Sequence, residues 1–218
     1  APAGKGGASA AETEVSQAVG QSVTVRRAEV ETIAYNRDKS IGVTVYLGQR
    51  RGHASSADFS HDAIRATVDK ALAIARYTAQ DPASGLADPA RLATRFPDLD
   101  LYHPWDLSVD EAIRLGREAE AAALAVDRRH TNTEGSTVAC NEGEFIYANT
   151  LGFARGYRSS RHHIDCSVIG EDEGGGMQRD YWYSAARAPS DLEAAAAVGR
   201  IAGERTARRL NARQLGTT

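Results

Sequence analysis

The segment from Ala75 to Trp105 constrains the fold most, because it is a long connector without a hydrophobic period. It holds four of the six prolines in the chain. Connectors of this length are uncommon in compact domains and are either disordered linkers or ordered segments that wrap over a surface. Its apolar side chains are too numerous for a solvated tether; they are Leu86, Leu92, Phe96, Leu99, Leu101, Tyr102 and Trp105. We therefore expect residues 79–107 to form an ordered, proline-rich strap.

Strands are predicted on both sides of this strap. The clearest has alternating hydrophobicity from Ile41 to Leu47, with Val43 and Val45 on the same face. Polar turns are expected at 37–39 and 48–52, and a bulge is expected between Val30 and Ile33. Strands return in 129–187, where glycines mark the expected turns; these are Gly135, Gly143 after Glu142, Gly152, and Gly174 to Gly176.

Three helices are expected between and after the strands. One covers 60–77 with Ser60 as its N-cap, and the next begins with a capping-box spacing from Ser108 to Glu111. The last is expected to open at Ser190, after Pro189. This order predicts an α+β fold in which antiparallel meander sheets carry helices packed on one face. It also suggests a loose duplication of two meander-and-helix halves joined by the strap.

The predicted organisation has three parts. Residues 1–78 form an N-terminal meander plus helix, 79–107 form the strap, and 108–218 form a helix, a second meander and a C-terminal helix. The chain opens with APAGKGG and has no starting methionine. We therefore expect a fragment of a longer protein.

Composition excludes several classes of function. A net charge of -3 and a pI near 6.1 give no electrostatic footprint for direct nucleic-acid binding. No apolar run approaches the roughly 20 residues that span a bilayer. Two distant cysteines, Cys140 and Cys166, are typical of a reduced thiol pair in the cytoplasm.

The sequence predicts no catalytic, cofactor-binding or metal-binding residue in this chain. The cluster that most resembles a metal-binding site in its residue types is His162, His163, Asp165 and Cys166. On a strand, His162 and Cys166 share one face while His163 and Asp165 share the other. Two ligands per side are too few, because zinc takes at least three from the protein. None of the six histidines has the helical His-Glu spacing of a zinc peptidase.

Other candidate sites have simpler interpretations. A Cys/His nucleophile pair is formally available, as it is in any chain of this size. The aromatic run Tyr181, Trp182 and Tyr183 is interpreted as core packing, since no basic groove accompanies it. The arginines near the chain end suit the negative end of a helix dipole and are expected to be solvated; they are Arg205, Arg208, Arg209 and Arg213.

Several irregular segments carry a family resemblance. They include ASSAD at 54–58, DPASGLAD at 81–88, PDLDLYHPW at 97–105, NTEG at 132–135 and GYRSSRHH at 156–163. With them, the chain resembles the amino-terminal region of the TldD/PmbA family, described as modulators of DNA gyrase and as metallopeptidases. The PmbA branch, also called TldE, is the more similar one.

The resemblance implies a subunit of a cytosolic zinc metallopeptidase complex that acts on unfolded or extended peptides. The zinc would belong to a TldD-type partner subunit, and this chain alone would be inactive. An alternative is a protein-binding regulatory module that acts on a DNA-associated target such as gyrase without contacting DNA. A free-standing metalloenzyme that uses His162, His163, Asp165 and Cys166 is the third and least favoured hypothesis.

Overall fold

The computed structural model describes residues 7–212 and 216. Three strands come first, and a helix follows them: β1 (Ala10–Arg26), β2 (Glu29–Leu47), β3 (Arg50–Ser56) and α1 (His61–Tyr77). After the strap, α2 (Val109–Leu124) precedes β4 (His130–Asn149), β5 (Ala154–Glu171), β6 (Met177–Ala186) and α3 (Ala195–Arg209). Single turns of 3-10 helix lie at Pro89–Arg91 and Pro189–Asp191.

The six strands form one antiparallel sheet in the order β3-β2-β1-β4-β5-β6. The α+β class is therefore confirmed, and β3 and β6 are the outermost strands. The strand predicted from Ile41 to Leu47 is seen in β2, where Ile41 pairs with Ser56 and Leu47 pairs with Arg50. Burial does not alternate along it, because Thr44 and Tyr46 are buried as well as Val43 and Val45. Of the turn predicted at 48–52, residues 48 and 49 lie between β2 and β3, whereas residues 50–52 already belong to β3. The hairpin loop predicted at Gly174–Gly176 joins β5 to β6.

Three predicted turns are wrong, because the strands that contain them run straight through. Residues 37–39 lie inside β2, and both Glu142–Gly143 and Gly135 lie inside β4. The charged residues at 37–39 do not end β2, because the residues on both sides of them remain extended and are exposed to solvent. Gly135 keeps a positive φ of 102°, and a Cβ there would lie 2.6 Å from the Val25 carbonyl oxygen. Glycine at this position therefore permits close approach within the sheet rather than a turn.

The chain divides into two compact units, each built from three segments. Among the described residues, unit 1 contains 7–19, 37–101 and 143–158, and unit 2 contains 20–36, 102–142, 159–212 and 216. The long strands β1, β2, β4 and β5 contribute to both units, so neither unit is one continuous stretch of sequence. The boundaries predicted at 78/79 and 107/108 stay a prediction.

In unit 1, α1 packs against β3 and against buried residues of β1 and β2. The Ser60 side chain accepts a hydrogen bond from the Ala63 amide, which confirms the predicted N-cap. The buried face of α1 includes Val68, Ala71 and Leu72. These side chains form an apolar core with Val43 and Val45 of β2.

In unit 2, α2 and α3 cover one face of the sheet. Ser108 caps α2 by accepting a hydrogen bond from the Glu111 amide, as the capping-box spacing predicted. The buried small side chains of α2 and α3 pack over Val138 of β4 and Val168 of β5. The predicted start of the last helix is wrong. Ser190 lies in the 3-10 turn. The helix α3 begins at Ala195, after the N-cap residue Ala194, whose backbone angles are not helical.

The apolar side chains of the strap differ in how far they are buried. Leu86 and Leu92 are half-buried in unit 1, and Trp105 is half-buried in unit 2. Phe96 is 48% exposed although it contacts Phe153, and Leu99 is 65% exposed. The expectation that all seven apolar residues act as anchors is therefore wrong for Leu99, whereas Phe96 keeps ring contacts with Phe153 and Arg155.

A buried carboxylate holds the turn between β1 and β2. The Glu120 side chain, 2% exposed, accepts hydrogen bonds from the amides of Arg27 at 2.7 Å and Ala28 at 2.6 Å. Both turn residues have positive φ, at 53° and 62°. This conformation is unfavourable for residues other than glycine. Glu120 thus stabilises a turn that its own residues disfavour.

Replacing Glu120 by glutamine should lower the free energy of unfolding by about 2 kcal/mol, because one amide of the turn loses its charged acceptor. Urea denaturation of both proteins measures the difference. Glu118→Gln is the matched control on the same helix, since Glu118 pairs with Arg114 at the surface and should change stability little. Equal effects of the two substitutions would contradict this role.

No helix among residues 7–212 is both long enough and apolar enough to cross a membrane.

Candidate functional site: the open face of β5 and β6

The side chains of β5 and β6 alternate between two faces, although Ser167 on the outward face is only 7% exposed. In β6, Tyr181 and Tyr183 are 48% and 53% exposed, whereas Asp180 and Ser184 are buried. The outward side chains of the two strands form a surface that we call the open face. It comprises Arg161, His163, Asp165 and Ser167 of β5 with Arg179, Tyr181, Tyr183 and Ala185 of β6.

Strand register fixes which side chains of the open face are neighbours. His163 lies opposite Ala185, Asp165 opposite Tyr183, and Ser167 opposite Tyr181. The rings of Tyr181 and Tyr183 stack, with centroids 6.4 Å apart and an 18° angle between their planes. The eight residues line an open depression of about 490 Å³.

Most charges on the open face are already paired. His163 Nε2 lies 3.5 Å from an oxygen of Asp165. Glu134 of β4 accepts hydrogen bonds from Ser167 and from Arg179. These pairs hold the side chains of three adjacent strands in place. The face is therefore polar and aromatic, with no apolar pocket.

The predicted split of the His/Asp/Cys cluster between two faces is confirmed. His162 and Cys166 are fully buried beneath the helices of unit 2, while His163 and Asp165 lie on the open face. His162 Nε2 donates to the His103 carbonyl oxygen at 2.8 Å, and its ring meets Trp105 edge to face. His162 therefore positions the end of the strap against β5.

The donor set does not fit a zinc site. The four candidate ligands divide two and two across β5, and zinc needs at least three on one side. Across the described part of the chain, no group of three His, Cys, Asp or Glu side chains is arranged to hold a metal ion.

Neither cysteine is activated as a nucleophile. Burial raises the pKa of the Cys166 thiol to about 12, and the negative charges of Glu120 and Asp165 act in the same direction. Burial also raises the pKa of the Cys140 thiol, against a smaller opposing effect of a backbone hydrogen bond with Gln21. Only the thiolate attacks, so both groups are unreactive near neutral pH.

Two sequence-based expectations for this region are wrong. Tyr181 and Tyr183 are not core residues, because the odd-numbered side chains of β6 lie on the open face. Of the three consecutive aromatic residues, only Trp182 packs against the core. Arg208 of α3 is exposed as expected, but Arg205 and Arg209 are not simply solvated. Arg205 and Arg209 each bond to the buried carboxylate of Asp180, at 3.2 Å. Arg213 lies outside the described residues.

Unit 1 contains a separate polar cluster that the sequence did not reveal. Glu12 accepts hydrogen bonds at 2.7 Å from the hydroxyls of both Tyr46 and Tyr147. Burial raises the pKa of Tyr46 to about 12, and its bond to Glu12 adds to the rise. The three residues are distant in sequence, so only pairing of their strands brings them together. Tyr46 is 5% exposed, and we interpret the cluster as a cross-brace of the sheet.

Family models match two parts of the chain. Residues 11–75 match the PmbA/TldA metallopeptidase domain 1, and residues 102–210 match the PmbA/TldA metallopeptidase central domain. The chain belongs to the PmbA/TldD family. The resemblance drawn from the irregular motifs is therefore confirmed.

Curated relatives of this PmbA/TldD chain support the PmbA branch. The chain is 48% identical over 207 residues to Metalloprotease PmbA of Escherichia coli O157:H7, covering 95% of this chain and 46% of the relative. It is 40% identical over 213 residues to the Metalloprotease PmbA homolog of Haemophilus influenzae, covering 98% and 47%. The chain thus spans about half the length of the curated relatives it matches.

A solved structure has the same fold. The protein of Bacteroides thetaiotaomicron named as a modulator of DNA gyrase superposes with a TM-score of 0.89 at 24% identity, covering 98% of this chain and 48% of that one. At this identity the likeness shows the fold alone.

Proposed function

We propose that this chain is the amino-terminal part of a PmbA-type subunit of a zinc metallopeptidase complex. The observation that carries the proposal is the 48% identity to Metalloprotease PmbA over nearly the whole chain. The same match covers 46% of that relative. The proposal therefore assigns this chain one part of a larger protein and leaves the catalytic centre to other segments.

In this proposal the zinc belongs to a TldD-type partner subunit in the cytoplasm. The supporting argument is the distribution of donors in this chain. His162, His163, Asp165 and Cys166 supply two ligands to each side of a strand, and the sequence has no helical His-Glu zinc pattern. The residues of this chain would bind and orient a peptide rather than hydrolyse it.

The substrates we propose are unfolded or extended peptides. β6 is an outermost strand, and its open face carries stacked tyrosines beside the ion pair of Arg179 with Glu134. An outermost strand can pair with an added peptide through its main chain, while alternate side chains contact the adjacent face. This geometry suits a wall that guides an extended chain.

Hydrolysis of an unfolded labelled protein such as casein tests this proposal. The chain alone should show no activity, with or without added zinc. Activity that a chelator removes should appear only when a full-length PmbA-type subunit containing this chain is combined with a TldD-type subunit. Chelator-sensitive hydrolysis by the chain alone would overturn the assignment of the zinc to a partner.

A regulatory module that binds a DNA-associated protein is the second candidate. It is favoured by the name of the Bacteroides thetaiotaomicron protein, a modulator of DNA gyrase. The net charge of -3 disfavours direct contact with DNA. A binding assay with purified gyrase, in the absence of DNA, distinguishes this candidate from the peptidase subunit.

A further inference from the structure

We propose that the open face binds extended peptide segments that carry a carboxylate side chain two positions from an aromatic or apolar one. This inference rests on the proposed peptide-binding function and names the class of segment that is bound. Three features of the open face carry it: a gap above Ala185, a cation beside that gap, and the stacked tyrosines.

The gap lies near the end of β6, where the outward side chain changes from the tyrosine at 183 to the alanine at 185. Ala185 follows Tyr183 on the same face and lies opposite His163. It lines both the depression of about 490 Å³ and a neighbouring one of about 270 Å³. The second depression also includes Arg161 and Arg187. A ligand side chain that enters above Ala185 therefore lies beside two arginines, of which Arg187 donates to the Ser160 carbonyl oxygen.

The charge at this gap is positive. Glu134 is paired with Arg179, and Asp165 lies 3.5 Å from His163, which carries a positive charge only when protonated. Arg161 has no acidic partner among residues 7–212, whereas its neighbours on the face are paired. An exposed guanidinium beside a gap complements a carboxylate, since the two groups bond through parallel N–H donors.

The tyrosine pair provides the second contact. Tyr181 and Tyr183 present half of their surface to solvent and stack at 6.4 Å. Alternate residues of an extended peptide lie about 7 Å apart on the same side. A peptide along β6 with its carboxylate above Ala185 thus places the side chain two positions away over Tyr183.

A nucleic acid would offer phosphate and flat bases to the same groups, but the charges favour a peptide. Glu134 is paired with Arg179, but the carboxylate of Asp165 lies beside His163, which is neutral unless protonated, and therefore repels a polyanion. A single carboxylate on an otherwise neutral peptide needs only one cationic contact for binding, and Arg161 provides it. We therefore assign a peptide ligand, and an oligonucleotide serves as one outcome of the test.

Fluorescence anisotropy of labelled peptides tests the inference with the 218-residue chain alone. The probe is a threonine heptapeptide with aspartate at its third position and phenylalanine at its fifth. A second peptide has asparagine in place of the aspartate, and a ten-residue oligothymidylate is the third probe. The protein variants are Arg161→Gln, Tyr183→Ser and the control Arg208→Gln. Arg208 on α3 has a side chain 78% exposed and a long contact of 3.9 Å with Glu204.

The aspartate peptide should bind about fivefold more tightly than the asparagine peptide. Arg161→Gln should remove that ratio, Arg208→Gln should keep it, and Tyr183→Ser should weaken both peptides by a similar factor. Equal affinity for the two peptides, no binding, an equal effect of Arg208→Gln, or tighter binding of the oligonucleotide would each overturn the proposal. Circular dichroism confirms that the variants are folded. The assay needs no partner and no metal, so its failure is distinct from a failure of the hydrolysis test.

Discussion

Replacing Gly199 by alanine should lower the free energy of unfolding by at least about 3 kcal/mol. Gly199 is buried where α3 crosses α2, and a Cβ there would overlap the backbone carbonyl of Ala119. Gly203, one turn later, is similarly close: its Cβ would lie 2.5 Å from the Ala123 carbonyl oxygen. Backbone atoms cannot yield as a flexible side chain can, so the two helices must separate. Urea denaturation followed by far-UV circular dichroism measures the loss.

Gly174→Ala is the matched control. A Cβ at Gly174 would have the Asp172 carboxylate as its nearest neighbour, at 3.4 Å, in an exposed hairpin loop. This substitution should change stability by less than about 0.5 kcal/mol. A Gly199→Ala protein as stable as this control would show that α2 and α3 do not pack through their backbones.

Replacing Asp180 by asparagine should lower the free energy of unfolding by about 2 kcal/mol. The carboxylate is 7% exposed and accepts bonds from the Tyr181 amide, Arg205 and Arg209. Removing the charge of a buried, paired group is strongly destabilising. The two arginines reach solvent, which reduces the loss below that of a fully buried pair. Glu204→Gln on α3 is the control, since its surface pair with Arg200 contributes little.

The contribution of Asp180 should also depend on pH. Burial raises the pKa of this carboxyl, but the Tyr181 amide and the charges of Arg209 and Arg205 lower it by more, so the pKa lies below its ordinary value. A lowered pKa in the folded state stabilises the fold above the unfolded pKa of about 4 and loses that effect as the pH falls through the folded value. The stability gap between wild type and Asp180→Asn should therefore be constant near neutral pH and shrink below about pH 4. A gap that widens on acidification would contradict this assignment.

Local patterns in the sequence predicted the elements whose signals lie within one turn or one strand. Ser60 and Ser108 cap the helices they were expected to cap, and each cap bond spans three residues. The alternation of β5 placed His163 and Asp165 on one face and His162 and Cys166 on the other. Glu142–Gly143 misled the prediction, because β4 continues through this pair in a sheet where β1 and β5 lie on either side of it.

The open face was missed although its residues follow a simple period. Tyr181 and Tyr183 are apolar enough to be core residues, and only the side on which α3 packs decides which parity of β6 is buried. The partner of Asp180 was missed for a related reason. Arg205 and Arg209 lie on another element, 25 and 29 residues away. Their position near the end of a helix predicted that these arginines are solvated. Packing of α3 against β6 instead brings both guanidinium groups to the carboxylate of Asp180.

By itself, the sequence determined the fold class, the caps of α1 and α2, the strand parity of the histidine cluster and the family, because each depends on short-range spacing or on irregular motifs. Only the tertiary structure decided that Glu120 holds the turn at Arg27 and Ala28, that Glu12 joins Tyr46 to Tyr147, and which face of β6 is open. These contacts join residues between 34 and 135 positions apart. Their formation depends on strand pairing and helix docking, whose energies are sums over many residues and leave no local mark in the chain.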